Sequence, residues 1–190
     1  MTSSKTVAPN RFAEAFGYPA GRPATKVKDC MTDYVQEFIR NSPFAVMATS
    51  DAQGHCDASP KGGKPGFVKV LDQRRLLFPD VAGNKLFQSY QNMDANPHVG
   101  LVFMIPGVND TVRVNGRVTI VDKDALDKLE VEVSLYEIDD RSHHLQGIII
   151  EVEESYGHCP RAYTFSRLWD TETIAAHKAQ RPVPDREMNR

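Results

Sequence analysis

The fold is decided by three neighbouring pieces of sequence: DASPKGGKPGFVKVLD (residues 57–72), LLFPDVAGNKLFQSYQNMDANPHVGLVFMIPG (residues 76–107) and DTVRVNG (residues 110–116). Each contains short apolar segments with strand character, separated by Gly, Pro, Asn and Asp residues that favour turns. Basic or small polar side chains recur at the ends of these segments. The combination predicts a small β-barrel that binds a phosphate-bearing ligand at its rim.

The same pattern continues on both sides of this region. Strands are predicted for residues 44–50, 55–60, 66–71, 75–79, 98–105, 110–121 and 145–159. Helices are predicted for residues 12–16, 29–41, 85–93 and 123–133, with Asp29, Asn84 and Asp122 at their N-terminal ends. Many short strands with few helices favour a mainly β fold with peripheral helices over a parallel sheet with crossovers. We expect residues 1–28 to form an N-terminal arm, residues 29–170 the domain and residues 171–190 a solvated C-terminal tail.

The bulk composition excludes several classes of function. The 190 residues, 25% charged and 41% hydrophobic, are typical of one soluble domain. The net charge of −2 does not favour nucleic acid or a membrane surface as a partner, so an anion site must come from a few placed cations. Three cysteines without a C-x-x-C pair favour reduced thiols over a disulfide framework or a metal site. Because neither a signal peptide nor an apolar run of ~20 residues is visible, we expect a cytoplasmic protein.

The segment from Ser59 to Gly66 (SPKGGKPG) has the composition of an anion-binding loop. Its glycines allow a ligand to approach the backbone closely, and Lys61, Lys64 and the Ser59 hydroxyl suit a phosphate. It matches neither G-x-x-x-x-G-K-[ST] nor G-x-G-x-x-G. A glycine-rich turn with solvated lysines is the alternative.

Two further cations follow in the sequence. Lys85 comes directly after Asn84 at the start of a predicted helix, where free N–H groups and the helix dipole favour an anion; an ordinary cap with an exposed lysine is the alternative. Arg113 lies on the polar face of the alternating strand, where burial is costly without an anionic partner. An inter-strand salt bridge on a solvated face is the alternative for Arg113.

The C-terminal part contains HCPRAYTFSRLW, residues 158–169, with the lone tryptophan of the chain. A lone tryptophan this close to two arginines is unusual without a role, and simple packing of Trp169 against the barrel is the alternative. His158 and Cys159 are not expected to form a catalytic pair, because adjacent strand residues point to opposite faces.

The order of these pieces from Phe44 to Trp169 resembles the FMN-binding split-barrel proteins related to pyridoxamine 5′-phosphate oxidase. The resemblance implies a six-stranded antiparallel split barrel that forms a homodimer with two symmetric FMN sites at the interface. It assigns Lys85, Arg113 and either Lys61 or Lys64 to the FMN phosphate, with Asn84 in place of an arginine of that family. It further implies cofactor contacts at Ser59, Phe67, Val68, Pro79, Thr111, Arg167 and Trp169, where Thr111 replaces a glutamine of the oxidase.

The expected activity is hydride or electron transfer between FMN and a small organic substrate, with a nicotinamide or oxygen as the other reactant. Catalytic side chains are not identifiable from the sequence. Pyridoxamine phosphate is a poor first choice of substrate, because the C-terminal pattern of the vitamin B6 oxidase is not reproduced. The alternatives are a flavin-storing or flavin-sensing protein without turnover, a split barrel that uses a deazaflavin or haem, and a purely structural barrel.

Overall fold

The computed structural model of the chain describes residues 4, 8–81, 86–129 and 144–184. Within these ranges the fold is mainly β, with seven strands in one sheet. The strands are β1 Phe44–Ser50, β2 Cys56–Gly62, β3 Lys69–Asp72, β4 Arg75–Val81, β5 His98–Met104, β6 Thr111–Asp122 and β7 His144–His158.

The sheet has the order β2-β1-β5-β6-β7-β4-β3, and every neighbouring pair is antiparallel. The 15-residue strand β7 pairs with β6 along most of its length, but with β4 only as far as Glu151. Farther along β7, Lys28 of the N-terminal arm bridges to Ser155. The arm is therefore held against the end of β7 where β4 no longer covers it.

The main apolar cluster of the described residues lies on one side of the sheet. Alternate strand residues point into it, among them Met47, Phe103 and Val114, each at most 2% exposed. Full burial of a large apolar side chain stabilises the fold by about 1.5–3 kcal/mol. Since five strands contribute to the same cluster, the sheet must curl round it. We call this side of the sheet the inner face and the opposite side the outer face.

Seven short helices surround the sheet in the described part of the chain: α1 Arg11–Phe16, α2 Arg22–Thr25, α3 Asp33–Arg40, α4 Gln88–Ala95, α5 Lys123–Asp127, α6 Arg161–Ser166 and α7 Thr171–Ala179. α3 is the amphipathic helix of the core: it buries Val35, Phe38 and Ile39. α6 and α7 contain no buried residue. The C-terminal helices therefore contribute little to the core of this protomer.

Several predicted boundaries need correction. Thr32, not Asp29, caps the first long helix, because its hydroxyl accepts the Val35 N–H. The helix predicted from residue 85 begins at Gln88, and the third strand is Lys69–Asp72 rather than residues 66–71, because Pro65 and Gly66 form a turn. The sheet has the seven strands predicted segment by segment, including the β3–β4 hairpin, rather than the six that the family resemblance implies. Asp122 caps α5 as predicted.

Candidate functional site

The outer face of the sheet carries an unusual set of side chains. Strand pairing places them in rows across β2, β1, β5, β6 and β7: Pro60–Val46–Val102–Arg113–Tyr156 and Ala58–Ala48–Gly100–Asn115–Glu154. In each row the residues on β2, β1 and β5 are apolar or small, and the residues on β6 and β7 are polar. Val46 and Val102 are only half-buried, so apolar surface adjoins a polar cluster.

Arg113 is the centre of the polar half. Its Nε donates to Asn115 Oδ1 at 3.3 Å, and one terminal nitrogen donates to the Tyr156 hydroxyl at 3.1 Å. Asn115 in turn donates to Glu154 Oε1 at 2.9 Å. Among the described residues no carboxylate pairs directly with Arg113, which is half-buried. A half-buried guanidinium with neutral partners favours the arrival of an anion.

The N-terminal arm adds a second cation to this cluster. Lys26 Nζ lies 4.7 Å from the centroid of the Tyr156 ring, and the His158 ring lies 4.8 Å from the same ring. Partial burial lowers the pKa of His158, and the charges of Lys26 and Arg113 lower it further. The two cations, Lys26 and Arg113, make the potential at the end of β7 positive.

The predicted loop lies elsewhere, at the edge strand β2. Ser59 and Lys61 pair with Met47 and Ala45, which belong to the core, so their side chains are on the inner face. Lys61 and Arg113 of one protomer are therefore on opposite faces of the sheet. Lys64 is exposed in the turn that follows β2.

Phe67, Val68 and Pro79 are buried. The Phe67 ring makes an edge-to-face contact with Phe78 at 5.4 Å, so this side chain belongs to the core. Only the backbone at these positions can face a ligand.

Asn84 and Lys85 lie outside the described residues, but the elements next to them are fixed. Ser89 of α4 donates to Asp57 at 2.8 Å, and Asn92 donates to the buried Thr49 hydroxyl at 3.0 Å. Both partners are on the inner side of the β1–β2 edge, where Lys61 also lies. The start of α4 is thus tied to the same edge as the predicted lysine loop.

Thr111 shares the outer face with Arg113 and is 4% exposed. Arg167 and Trp169 are farther along the chain, against the turn between β5 and β6. The Trp169 ring nitrogen donates to the Val108 carbonyl at 3.1 Å, and its ring stacks on Tyr163. Arg167 pairs with Asp170 at 2.6 Å, and the two residues help to line a cavity of about 290 Å³. Trp169 thus packs within its own protomer, while Arg167 already has a carboxylate partner.

Sequence reasoning found Arg113 but missed Lys26 and Tyr156. Tyr156 could have been found, because an antiparallel register of the two long strands places it beside Arg113. No sequence pattern indicated Lys26, because its position beside Tyr156 depends on how the arm folds back onto β7.

Fold and site together define a class: a mainly β protein whose curled antiparallel sheet presents a cationic cluster on its outer face. A family model described as pyridoxamine 5′-phosphate oxidase matches residues 31–159, and the chain belongs to this family. The match includes all seven strands, whereas the arm with Lys26 and the helices α6 and α7 lie outside it. No curated protein matches the chain in sequence.

A solved structure from the same family shares the split-barrel fold. A candidate pyridoxamine 5′-phosphate oxidase from Lactobacillus delbrueckii has 22% identity and a TM-score of 0.50, covering 70% of this chain and 99% of that chain. HupZ from Group A Streptococcus has 18% identity and a TM-score of 0.47, covering 67% and 93%. An F420 reductase has 18% identity and a TM-score of 0.40, covering 65% and 94%. In the part of this chain that the structure describes, none of the helices has the length and apolar character to cross a membrane.

Proposed function

We propose that the protein is a cytoplasmic, FMN-dependent oxidoreductase that works as a homodimer with two symmetric cofactor sites at the interface. Family membership supports this proposal, because members of the family commonly bind flavins. When bound, FMN supplies hydride or electron transfer, here between a small organic substrate and a nicotinamide or oxygen. The protein binds the cofactor, orients it and excludes water.

One observation carries the proposal: Arg113 is a half-buried cation whose side-chain partners, among the described residues, are the neutral Asn115 and Tyr156. A guanidinium in this setting gains most from a planar or tetrahedral oxyanion that accepts two hydrogen bonds. The FMN phosphate is such a group. The residues present therefore fit the cofactor that the family binds.

The outer face also has room for a flat ring. Ala48 and Gly100 form part of the lining of a shallow groove of about 250 Å³ beside Asn115. A Cβ at Gly100 would lie 3.2 Å from Asn115 Oδ1 and 4.0 Å from Ala48 Cβ, so any larger residue would fill the space. A groove that depends on small residues suits the isoalloxazine ring.

A second copy of the chain is the partner that we assign to the outer face. Val46 and Val102 are incompletely covered there, and apolar surface of this kind is typical of homodimer interfaces. The C-terminal α6 leaves Phe165 72% exposed and is followed by Leu168 at 48%, which gives a further apolar surface for the same partner. Since Lys61 and Arg113 lie on opposite faces, we assign the β2 edge with Lys61, Lys64 and Lys85 to one protomer of each site and Arg113 to the other.

The first experiment is to purify the protein without added cofactor and identify any released chromophore by its spectrum and mass. We expect a yellow protein that releases FMN, and an Arg113→Gln variant whose FMN affinity falls by roughly ten- to hundredfold. Arg117→Gln is the matched control, because Arg117 is exposed on the same strand. A protein that neither contains FMN nor binds added FMN would overturn the proposal, as would equal affinities of the two variants.

Turnover is tested separately from binding. The holoprotein is mixed with NADPH or NADH without oxygen, and the flavin absorbance is followed. We expect the absorbance to be lost and to return when air is admitted. A flavin that stays oxidised with both donors, but binds tightly, would identify a storage or sensing protein instead.

A further inference from the structure

A separate pocket lies between the N-terminal arm and the end of β7. It has a volume of about 250 Å³, and its lining includes Arg22 and Lys26 of the arm, Asp110, and His158 with Cys159. Arg113 does not line it. The pocket is slightly smaller than the usual range for drug-sized ligands, so it suits a small molecule or one end of a larger one.

The charged groups of this pocket are incompletely satisfied. Among the described residues, the side chains of Arg22 and Lys26 have neither a carboxylate within ion-pair distance nor a hydrogen-bond acceptor. Lys26 Nζ lies over the face of the Tyr156 ring, and among the described residues its three N–H donors have no hydrogen-bond acceptor. Asp110 is the single carboxylate of the lining, against two permanent cations. The balance favours an anionic ligand.

We propose that this pocket, which adjoins the Arg113 cluster through Tyr156, binds the oxyanion group, carboxylate or phosphate, of a small organic ligand other than FMN. Arg22 and Lys26 supply the charge, and the His158 ring supplies one further donor. Because both cations belong to the arm, the arm has a binding role in addition to its bridge with β7. The arm lies outside the segment that matches the family, whereas Asp110, His158 and Cys159 lie inside it, so the pocket is formed between the arm and the shared barrel.

His158 gives a second way to observe the ligand. Without ligand its pKa is lowered by partial burial and by Lys26 and Arg113. The other ionisable groups near the pocket are Arg22, Asp110, Tyr156 and Cys159, together with Tyr34, which interacts with Arg22 and Asp110. A bound oxyanion favours the imidazolium, so the pKa of His158 should rise on binding. By linkage, the affinity for the anion should increase as the pH falls through this pKa.

The experiment is calorimetric titration of the full-length holoprotein with inorganic phosphate and, separately, with succinate, in a buffer of weakly binding ions. We expect saturable binding of at least one probe and a loss of about tenfold or more in affinity for Lys26→Gln and Arg22→Gln. Lys128→Gln, an exposed lysine next to α5, is the matched control and should bind like the wild type. Preference for phosphate identifies a phosphate ester as the ligand, and preference for succinate a carboxylate.

Arg113→Gln separates this proposal from the flavin assignment. Compared with the wild type as apoproteins, it should keep saturable affinity for the anion although it no longer binds FMN, because Arg113 does not line the pocket and reaches it only through its charge near His158. The pocket assignment is overturned if neither probe binds, or if Lys26→Gln and Lys128→Gln bind equally well. Failure of FMN to bind would overturn the proposed function while leaving the anion titration of the apoprotein interpretable.

Discussion

At the scale of single residues, the turn after β2 depends on one glycine. Gly66 has φ of +74°, and a Cβ there would lie 2.8 Å from the Arg40 carbonyl oxygen at the end of α3. Its N–H donates to the Ser42 carbonyl, so the turn is fixed against that helix. The position of Lys64 in the same turn follows from this contact.

Replacing Gly66 should therefore destabilise the protein through both strain and a clash. Gly54 has φ of +87°, and a Cβ there would meet no atom within 4 Å, which makes it the matched control for strain alone. We expect Gly54→Ala to lower the free energy of unfolding by about 1 kcal/mol, and Gly66→Ala by about 3 kcal/mol. Urea unfolding of both variants measures the difference. Equal losses of unfolding free energy in the two variants would show that the backbone shifts to relieve the clash with the Arg40 carbonyl at no cost.

At the scale of secondary-structure elements, α4 is the helix whose position matters most for the flavin proposal. Its side chains bond to two neighbouring strands, Ser89 to Asp57 of β2 and Asn92 to Thr49 of β1. Burial raises the pKa of the Tyr90 hydroxyl, and the carboxylate of Asp80 on β4 raises it further. The segment that contains Asn84 and Lys85 therefore follows one strand of the sheet, β4, and precedes a helix, α4, that is itself bonded to the sheet.

Asn92→Ala should loosen this connection. Both side chains of the Asn92–Thr49 bond are at most 9% exposed, and the variant leaves the Thr49 hydroxyl without its donor. We expect a loss of about 1–3 kcal/mol in the free energy of unfolding and weaker binding of FMN. The control is Asn41→Ala, because Asn41 is an exposed residue whose bonds are to Glu37 on its own helix. An Asn92→Ala variant as stable as Asn41→Ala would contradict the assigned role of this bond.

The elements also show what the sequence could predict. The alternation in residues 111–118 correctly separates Val112 and Val114 on the inner face from Arg113 on the outer face, because a strand has a period of two. The start of α4 was predicted too early, since Phe87 adopts a left-handed conformation (φ +48°) that no sequence pattern indicated. The placement of Lys61 and Arg113 on opposite faces of the sheet could not be predicted either. It depends on the pairing register of three strand pairs, which is a tertiary property.

At the scale of the whole molecule, the opposite placement of Lys61 and Arg113 constrains how one FMN can contact both. Within a protomer the curled sheet lies between the two side chains. In a homodimer with two-fold symmetry, the β2 edge of one copy can approach the outer face of the other, and the operation generates two equal sites. Each site then needs both chains, and neither chain has a complete site.

This arrangement makes a prediction that a site within one protomer does not share. A Lys61→Gln/Lys64→Gln variant and the Arg113→Gln variant should each bind FMN poorly. After equal amounts are unfolded and refolded together, about half of the dimers contain one chain of each kind, and in each of these one of the two sites has all its wild-type residues. The mixture should therefore recover about one quarter of the wild-type FMN sites, measured by flavin absorbance after gel filtration, with a dimer confirmed by light scattering. If all the residues that hold one FMN came from the same chain, every site in the mixture would remain defective, and no tight binding would return.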